Sequence, residues 1–263
     1  SFTDKILAIF EEEAKFYSNK GGNVKFVGHP MLDFYSNIPP KEESLKKLGL
    51  EKDKKLLLII PASRKQEIKY ILPTFLQVAK RLQQKDPSIS VFIPSGLKDF
   101  DTILNNSLKE YGLEGRVILS NEVDQIKPFL FSAAHLALSK SGTINMELAL
   151  NSVPQIVGYK VSRVTAFIAR YLLRFNVQYI SPVNLLLNKM LIPEFIQEDF
   201  NSEKIFNSAL KILEDVTTRQ EIIIGYKSLK DKLGKPGVTD RASKDILDLL
   251  AKWSLWLKSS KDW

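Results

Sequence analysis

The amino-acid sequence predicts an α/β protein built on a Rossmann-like, mostly parallel sheet flanked by helices. Three observations predict it. Short β-rich runs ending in Pro, Ser or Gly alternate with longer amphipathic segments. The runs LLLII (56–60) and VPQIVGY (153–159) are almost uniformly apolar, as strands covered on both faces are. The 263 residues carry 44% hydrophobic side chains, enough to bury a real core. Strand, helix and strand in succession imply right-handed crossovers, and hence parallel neighbours.

Taken in order, KILAIF (5–10) reads as a strand and residues 11–18 as a helix. A bare βα pair cannot bury both its faces, so residues 1–24 read as the remnant of a preceding domain. KFVGHPMLDF (25–34) reads as a linker punctuated by Gly28 and Pro30. The alternating series then begins: KKLLLIIP and QEIKYILPTFLQVAKRLQQ, SVFIPSG and FDTILNNSLKEYG, RVILSN and VDQIKPFLFSAA, HLALSKSG and TINMELALN, and VPQIVGYK. Residues 225–240 (GYKSLKDKLGKPGVTD) read as a polar break. Beyond it Ile246, Leu247, Leu249, Leu250, Trp253 and Trp256 fall on helical spacing, a face expected to pack on something. The expected division is therefore 1–24, 25–240 and 241–263, the last a helix that packs back or is swapped.

Composition narrows the chemistry. Lys and Arg number 38 against 30 Asp and Glu, and the net charge of +8 favours an anionic partner: a nucleotide diphosphate, a phospholipid surface or nucleic acid. The absence of cysteine excludes disulfide scaffolds and thiolate chemistry, and fits a reducing compartment. No apolar run approaches the ~20 residues of a membrane span. Two histidines are too few for a multi-histidine metal site. Neither GxGxxG nor GxxxxGK[ST] occurs. Asp99-Phe100-Asp101 spells an acidic DxD, but in a charged stretch it reads as a solvated turn.

Three strand-to-helix junctions can carry chemistry, because ligands of open α/β sheets sit beyond the carboxyl ends of strands. After Pro61, Ser63 and Arg64 open a helix; they could cradle a phosphate, or be a capping Ser beside a solvated Arg. At the second junction Ser141, Gly142 and Thr143 can present backbone amides to a diphosphate, with Glu147 one turn on to accept from ribose hydroxyls; a plain capping motif is the alternative. At the third, Asn184 follows Ser181-Pro182, and Pro193 opens a segment in which Glu194 and Gln197, three apart, would share a helical face and can read sugar hydroxyls; an ordinary Pro-Glu helix start is the alternative. SRVTAFIARYLLRF (162–175) has apolar helical spacing interspersed with Arg163, Arg170 and Arg174. It is either a helix lying on an anionic membrane or a core helix with snorkelling arginines.

The segments FVGHPMLD, LLLIIPASRKQEI, ALSKSGTINMELAL, VPQIVGYKV, YISPVNLL and IPEFIQED together resemble the lipid-A-disaccharide synthase family, in its order and approximate spacing across essentially the whole chain. The resemblance implies the C-terminal half of a GT-B fold. It also implies a metal-independent, inverting hexosyltransferase that needs no cofactor. Such an enzyme transfers a diacylglucosamine from its UDP conjugate to lipid X, forming the β-1,6 lipid A disaccharide and releasing UDP. Carried over, Ser63, Arg64, Ser141, Gly142, Thr143, Glu147, Asn184, Glu194 and Gln197 are donor-binding. Ala62 stands where the family has Gly, which alters how closely the backbone can approach phosphate. The general base is expected in an N-terminal domain, and no position here matches it. The implied partners are the UDP-diacylglucosamine donor, the lipid X acceptor, an anionic membrane surface and a second copy in a swapped homodimer, with no nucleic acid. The implied location is cytoplasmic, peripheral on the inner membrane or an organelle equivalent. Another UDP-GlcNAc-type GT-B enzyme, or a non-catalytic nucleotide-sugar or membrane-surface binding protein, is the alternative.

Overall fold

The computed structural model describes residues 3–35, 38–61, 64–162 and 178–259, with side chains through Trp253. The stretch 163–177, and with it the amphipathic arginine-bearing segment, lies outside the described residues, as does Ser63. The described elements, in chain order, begin with β1 (Ile6–Ala8), α1 (Glu11–Asn19), β2 (Val24–Phe26), α2 (Met31–Phe34), α3 (Lys41–Leu48), β3 (Lys55–Ile60) and α4 (Lys65–Lys85). There follow β4 (Ile89–Pro94), α5 (Lys98–Glu110), β5 (Gly115–Ile118), α6 (Val123–Ala133), β6 (Ala134–Lys140), α7 (Ile144–Leu150) and β7 (Gln155–Tyr159). The last are α8 (Pro182–Leu187), β8 (Glu194–Ile196), α9 (Ser202–Glu214), α10 (Val216–Leu233) and α11 (Val238–Ser259).

Two compact units emerge, one formed by Ser1–Asn37 with Ser228–Trp263 and the other by Ile38–Lys227. In the first, β1 and β2 pair in parallel, Ile6 opposite Val24 and Ala8 opposite Phe26. Residues 25–34, read from the sequence as a linker, are tied into this unit by specific bonds. The backbone amide of His29 donates to the Leu233 carbonyl at 2.9 Å. Gly28 turns the chain there at φ +91°, and a Cβ at that position would lie 3.1 Å from the same carbonyl oxygen. Asp33 caps α11 from afar, its carboxylate accepting from the amides of Gly237 (2.6 Å), Val238 (3.2 Å) and Thr239 (2.9 Å). These bonds, that of Thr239 first, hold its carboxyl down at about 2.

The break expected over 225–240 is narrower. α10 runs unbroken through Gly225 to Leu233, because Gly225 admits the Leu191 side chain where a Cβ would come within 2.3 Å of it. The chain turns only between Gly234 and Gly237. On the apolar face of the last helix, among the described residues, Leu247 is 64% and Trp253 52% exposed and Ile246 and Leu250 are likewise open, while Leu249 is half-buried. The helix is held by its other side, where buried Asp245 pairs with Lys5 and with Lys25.

The larger unit is the predicted sheet. Among the described residues six parallel strands lie in the order β5-β4-β3-β6-β7-β8. Leu56 to Ile59 of the central strand β3 are buried, as the apolar run requires. α4 covers the sheet with Ile71, Leu72, Phe75, Leu76, Val78, Ala79 and Leu82, a helical stripe in which each side chain larger than alanine stabilises by roughly 1.5–3 kcal/mol. Phe75 meets Phe200 edge-on at 5.3 Å, over Gly158 of β7. A Cβ on Gly158 would stand 2.1 Å from the Phe200 ring, so the close approach of strand and ring excludes any larger residue.

Two sequence expectations are overturned in this unit. Asp99-Phe100-Asp101 is the first turn of α5 and not a loop: Phe100 is buried, and Asp101 accepts from the Ser120 amide and hydroxyl at 3.2 and 3.1 Å. Glu194 to Ile196 form strand β8 and not a helix. They extend the sheet edge beside β7, Val157 opposite Glu194, and ladder pairing of β-favouring Phe195 and Ile196 overrides the Pro-led helix signal.

Candidate functional site

The carboxyl ends of β3, β4 and β6 open on a cleft of about 250 Å³ lined by Ile60, Pro94, Ser95, Gly96, Lys127, Lys140 and the turn Ser141-Gly142-Thr143, among others. This is where a parallel sheet places its ligands, since each strand delivers its following loop and helix start to the same edge. Three of the residues singled out from sequence, Ser141, Gly142 and Thr143, therefore line one cavity.

The turn is built from below by a buried polar network. Asn145, fully buried on α7, accepts from the Gly142 amide at 2.8 Å and donates to Ser139 Oγ and Gln155 Oε1, both at 2.9 Å. Gln155 Nε2 returns to the Asn145 carbonyl at 2.9 Å and reaches the Tyr226 hydroxyl at 3.2 Å. Tyr226 in turn donates to the Val153 carbonyl at 3.0 Å, and burial raises its phenol above the ordinary range. Each partner is satisfied, so the network fixes the turn rather than merely tolerating burial. The Gly142 amide is thereby committed, whereas the amides of Thr143 and Ile144 have no partner among the described residues. They are the donors the turn offers to the cleft. The Ser141 hydroxyl donates to the Ile180 carbonyl at 2.5 Å and is likewise occupied.

Charge in the cleft comes as pairs. Glu147 is ion-paired with Lys127, a cleft residue from α6 that sequence reasoning missed because nothing within α6 distinguishes it. Lys140 pairs with Glu67 of α4 at 2.7 Å, and the second oxygen of Glu67 is buried with no hydrogen-bond partner. Arg64, at the start of α4, is exposed and paired with no carboxylate among the described residues. The 21-residue α4 directs its free N–H groups and positive dipole end to this side of the sheet.

Asn184 and Glu194 form a second cluster, bonded to each other, and Gln197 follows just beyond the end of β8. Asn184 is fully buried; its amide donates to the Ile192 carbonyl (2.8 Å) and Glu194 Oε1 (2.7 Å), and accepts from the Leu191 and Ile192 amides. Glu194 accepts from the amides of Ile180 (2.7 Å) and Ser181 (2.9 Å). Gln197, at φ +52°, accepts from the Val161 amide at 2.9 Å. Ser181 caps α8, its hydroxyl accepting from the Asn184 amide, with Pro182 opening the helix. The cluster's polar atoms hold the loop ahead of α8, and that loop reaches the cleft turn through the Ser141–Ile180 bond.

Comparison with known proteins gives this geometry its context. A model of the family described as lipid-A-disaccharide synthetase matches residues 1–242. The lipid-A-disaccharide synthase of Prochlorococcus marinus (strain MIT 9313) is 51% identical over 95% of this chain and 64% of its own length. That of Gloeothece citriformis (strain PCC 7424) is 40% identical over 94% of this chain and 63% of its own. The chain thus spans less than two thirds of the length of the curated relatives it matches. Among solved structures, the S. aureus MnaA–UDP co-structure superposes with a TM-score of 0.67 at 14% identity, covering 95% of this chain and 61% of that one. WaaG, a glycosyltransferase involved in lipopolysaccharide biosynthesis, superposes at 0.54 and 14%, covering 92% and 62%. These likenesses establish the fold as that of one half of a GT-B protein. With its family match over residues 1–242 and these identities, the chain belongs to the lipid-A-disaccharide synthetase family.

Proposed function

We propose that this chain supplies the UDP-donor half of a lipid-A-disaccharide synthase, an inverting, metal-independent glycosyltransferase that joins a UDP-linked diacylglucosamine to lipid X through a β-1,6 bond. The observation that carries the reading is the cleft itself: a cavity at the carboxyl ends of β3, β4 and β6 whose turn leaves the Thr143 and Ile144 amides unpartnered. Bond cleavage places negative charge on the departing UDP. Preorganised amides, the start of α4 and the Arg64 guanidinium would stabilise that charge without reorganisation. Lys127 and Lys140, already matched by Glu147 and Glu67, then orient the ligand more than they attract it. Ser63 belongs with Arg64, and Glu147 with the ribose. Asn184, Glu194 and Gln197 act by shaping the loop beside the sugar rather than through free polar atoms. The base that deprotonates the acceptor hydroxyl belongs to the N-terminal part of the longer relatives. Peripheral attachment at the cytoplasmic face of the inner membrane, and a homodimer with exchanged C-terminal parts, complete the reading.

Calorimetry tests it. UDP should bind with the same affinity in EDTA as without it. Arg64→Ala should weaken UDP about tenfold or more and uridine far less, because one charge-assisted hydrogen bond to phosphate is worth roughly 1.5–3 kcal/mol. Equal losses for UDP and uridine would remove Arg64 from the phosphate, and loss of UDP binding in EDTA would end the metal-independent reading.

A further inference from the structure

At the amino-terminal end of the sheet, away from the cleft, three cationic or protonatable side chains converge. β3 and β6 slip register between Leu56 and Leu57: Leu56 faces Ala134 and Leu57 faces Leu136, so His135 is the extra residue of a bulge. Its ring takes the place of a ladder acceptor, Nδ1 accepting from the Leu56 amide at 3.1 Å. A neutral imidazole has one acceptor nitrogen, so its proton must then sit on Nε2. Yet Nε2 faces another donor, the Lys41 ammonium, at 3.0 Å. Lys41 is carried there by the start of α3, the preceding segment being pinned where Ser132 Oγ donates to the Pro39 carbonyl at 2.7 Å. From α10, Arg219 donates through Nη1 to the His135 carbonyl at 3.3 Å. Neither Lys41 nor Arg219 is ion-paired with a carboxylate among the described residues, while nearby Lys55 is matched by Asp86 at 2.8 Å.

Apart from backbone carbonyls, that of His135 accepting from Arg219, the three side chains present donors to one another and no negative charge. Burial first, then the charges of Lys41, Arg219 and Lys55, hold His135 down at about 4, the Ala133 carbonyl acting the other way. Burial and then Arg219 lower Lys41, and burial lowers Arg219. A group that only accepts hydrogen bonds and carries negative charge would satisfy all three at once.

We propose that Lys41, His135 and Arg219 form a second anion site, distinct from the cleft, for a tetrahedral phosphate-type oxyanion, either free or as a phosphomonoester or phosphodiester headgroup. The imidazole Nε2–H, the Lys41 ammonium and the Arg219 guanidinium are its donors.

Histidine occurs only twice in the chain, so the ring signals of His29 and His135 can be followed separately by NMR. Inorganic phosphate titrated at neutral pH and constant ionic strength should shift the His135 ring signals saturably and leave those of His29 in place. Lys41→Gln and Arg219→Gln should each weaken that response about tenfold or more. Phosphatidylglycerol vesicles in a parallel titration distinguish the sources: a response to phosphate assigns a free oxyanion, and one to vesicles alone assigns a lipid headgroup. A His135 signal unmoved by both, or a response undiminished in the variants, overturns the proposal. Lys41 is exposed, so Lys41→Gln remains informative if Arg219→Gln fails to fold.

Discussion

Single residues here do what their neighbours' bonds allow. Asp33 sits in an apparently unremarkable MLD segment, yet it caps a helix more than two hundred positions away. Asp33→Asn should loosen the start of α11, seen as faster amide exchange at Val238 and Thr239. Because its carboxyl is held at about 2, that stabilisation is complete above its ordinary range near 3.8 and is lost as pH falls towards 2. His135 carries the opposite chemistry with a similar sign. It is kept neutral, so the fold binds fewer protons than the unfolded chain between about 4 and 6.5, and stability should fall as the pH falls through that window. We expect a loss of about 2 kcal/mol after allowance for solvent screening, measured as the difference between wild type and His135→Gln in melts from pH 7 to pH 4. Neither role was legible in sequence. A cap supplied from the far end of the chain has no local spacing, and a bulge shows only once two strands are in register.

Elements were far more legible, because period and burial act locally. The runs around β3, β4, β6 and β7 and the stripe of α4 follow from alternation between fully apolar and amphipathic stretches. Failures came where tertiary pairing overrode a local signal: β8 at Pro193-Glu194, α10 through Gly225, and the DFD start of α5. The turn at Ser141-Gly142-Thr143 was readable as a strand-to-helix junction beside the cleft, but not its support, since Asn145 and Gln155 stand ten residues apart on different elements. Asn145→Ala should cost about 1–3 kcal/mol in chemical denaturation by stranding Gln155, and Asn145→Ala with Gln155→Leu should recover part of it. The single variant should also weaken UDP through the released Gly142 amide. Gly158→Ala, which drives a methyl into the Phe200 ring, should destabilise by about 1–3 kcal/mol and leave UDP affinity unchanged in the folded fraction.

For the whole molecule, two functions of position matter. A parallel sheet sends every crossover's helix start to one edge, and that edge holds the cleft with the Thr143 and Ile144 amides. Its amino-terminal end gathers Lys41 and Arg219, ion-paired with no carboxylate among the described residues, around the neutral ring of His135. A net charge of +8 favours an anionic partner but cannot say where one would sit, because charge is summed along the sequence and a site is not. Family segments located the cleft turn, whereas the pairing of Lys127 with Glu147 and of Lys140 with Glu67 needed the fold. Backbone amides followed by NMR during a UDP titration in EDTA test the cleft most directly. The amides of Thr143 and Ile144 should shift together and saturably, with that of Gly142, already bonded to Asn145, moving less. UDP binding that leaves Thr143 and Ile144 unmoved, or no binding at all, would contradict the assignment of this cleft to the nucleotide.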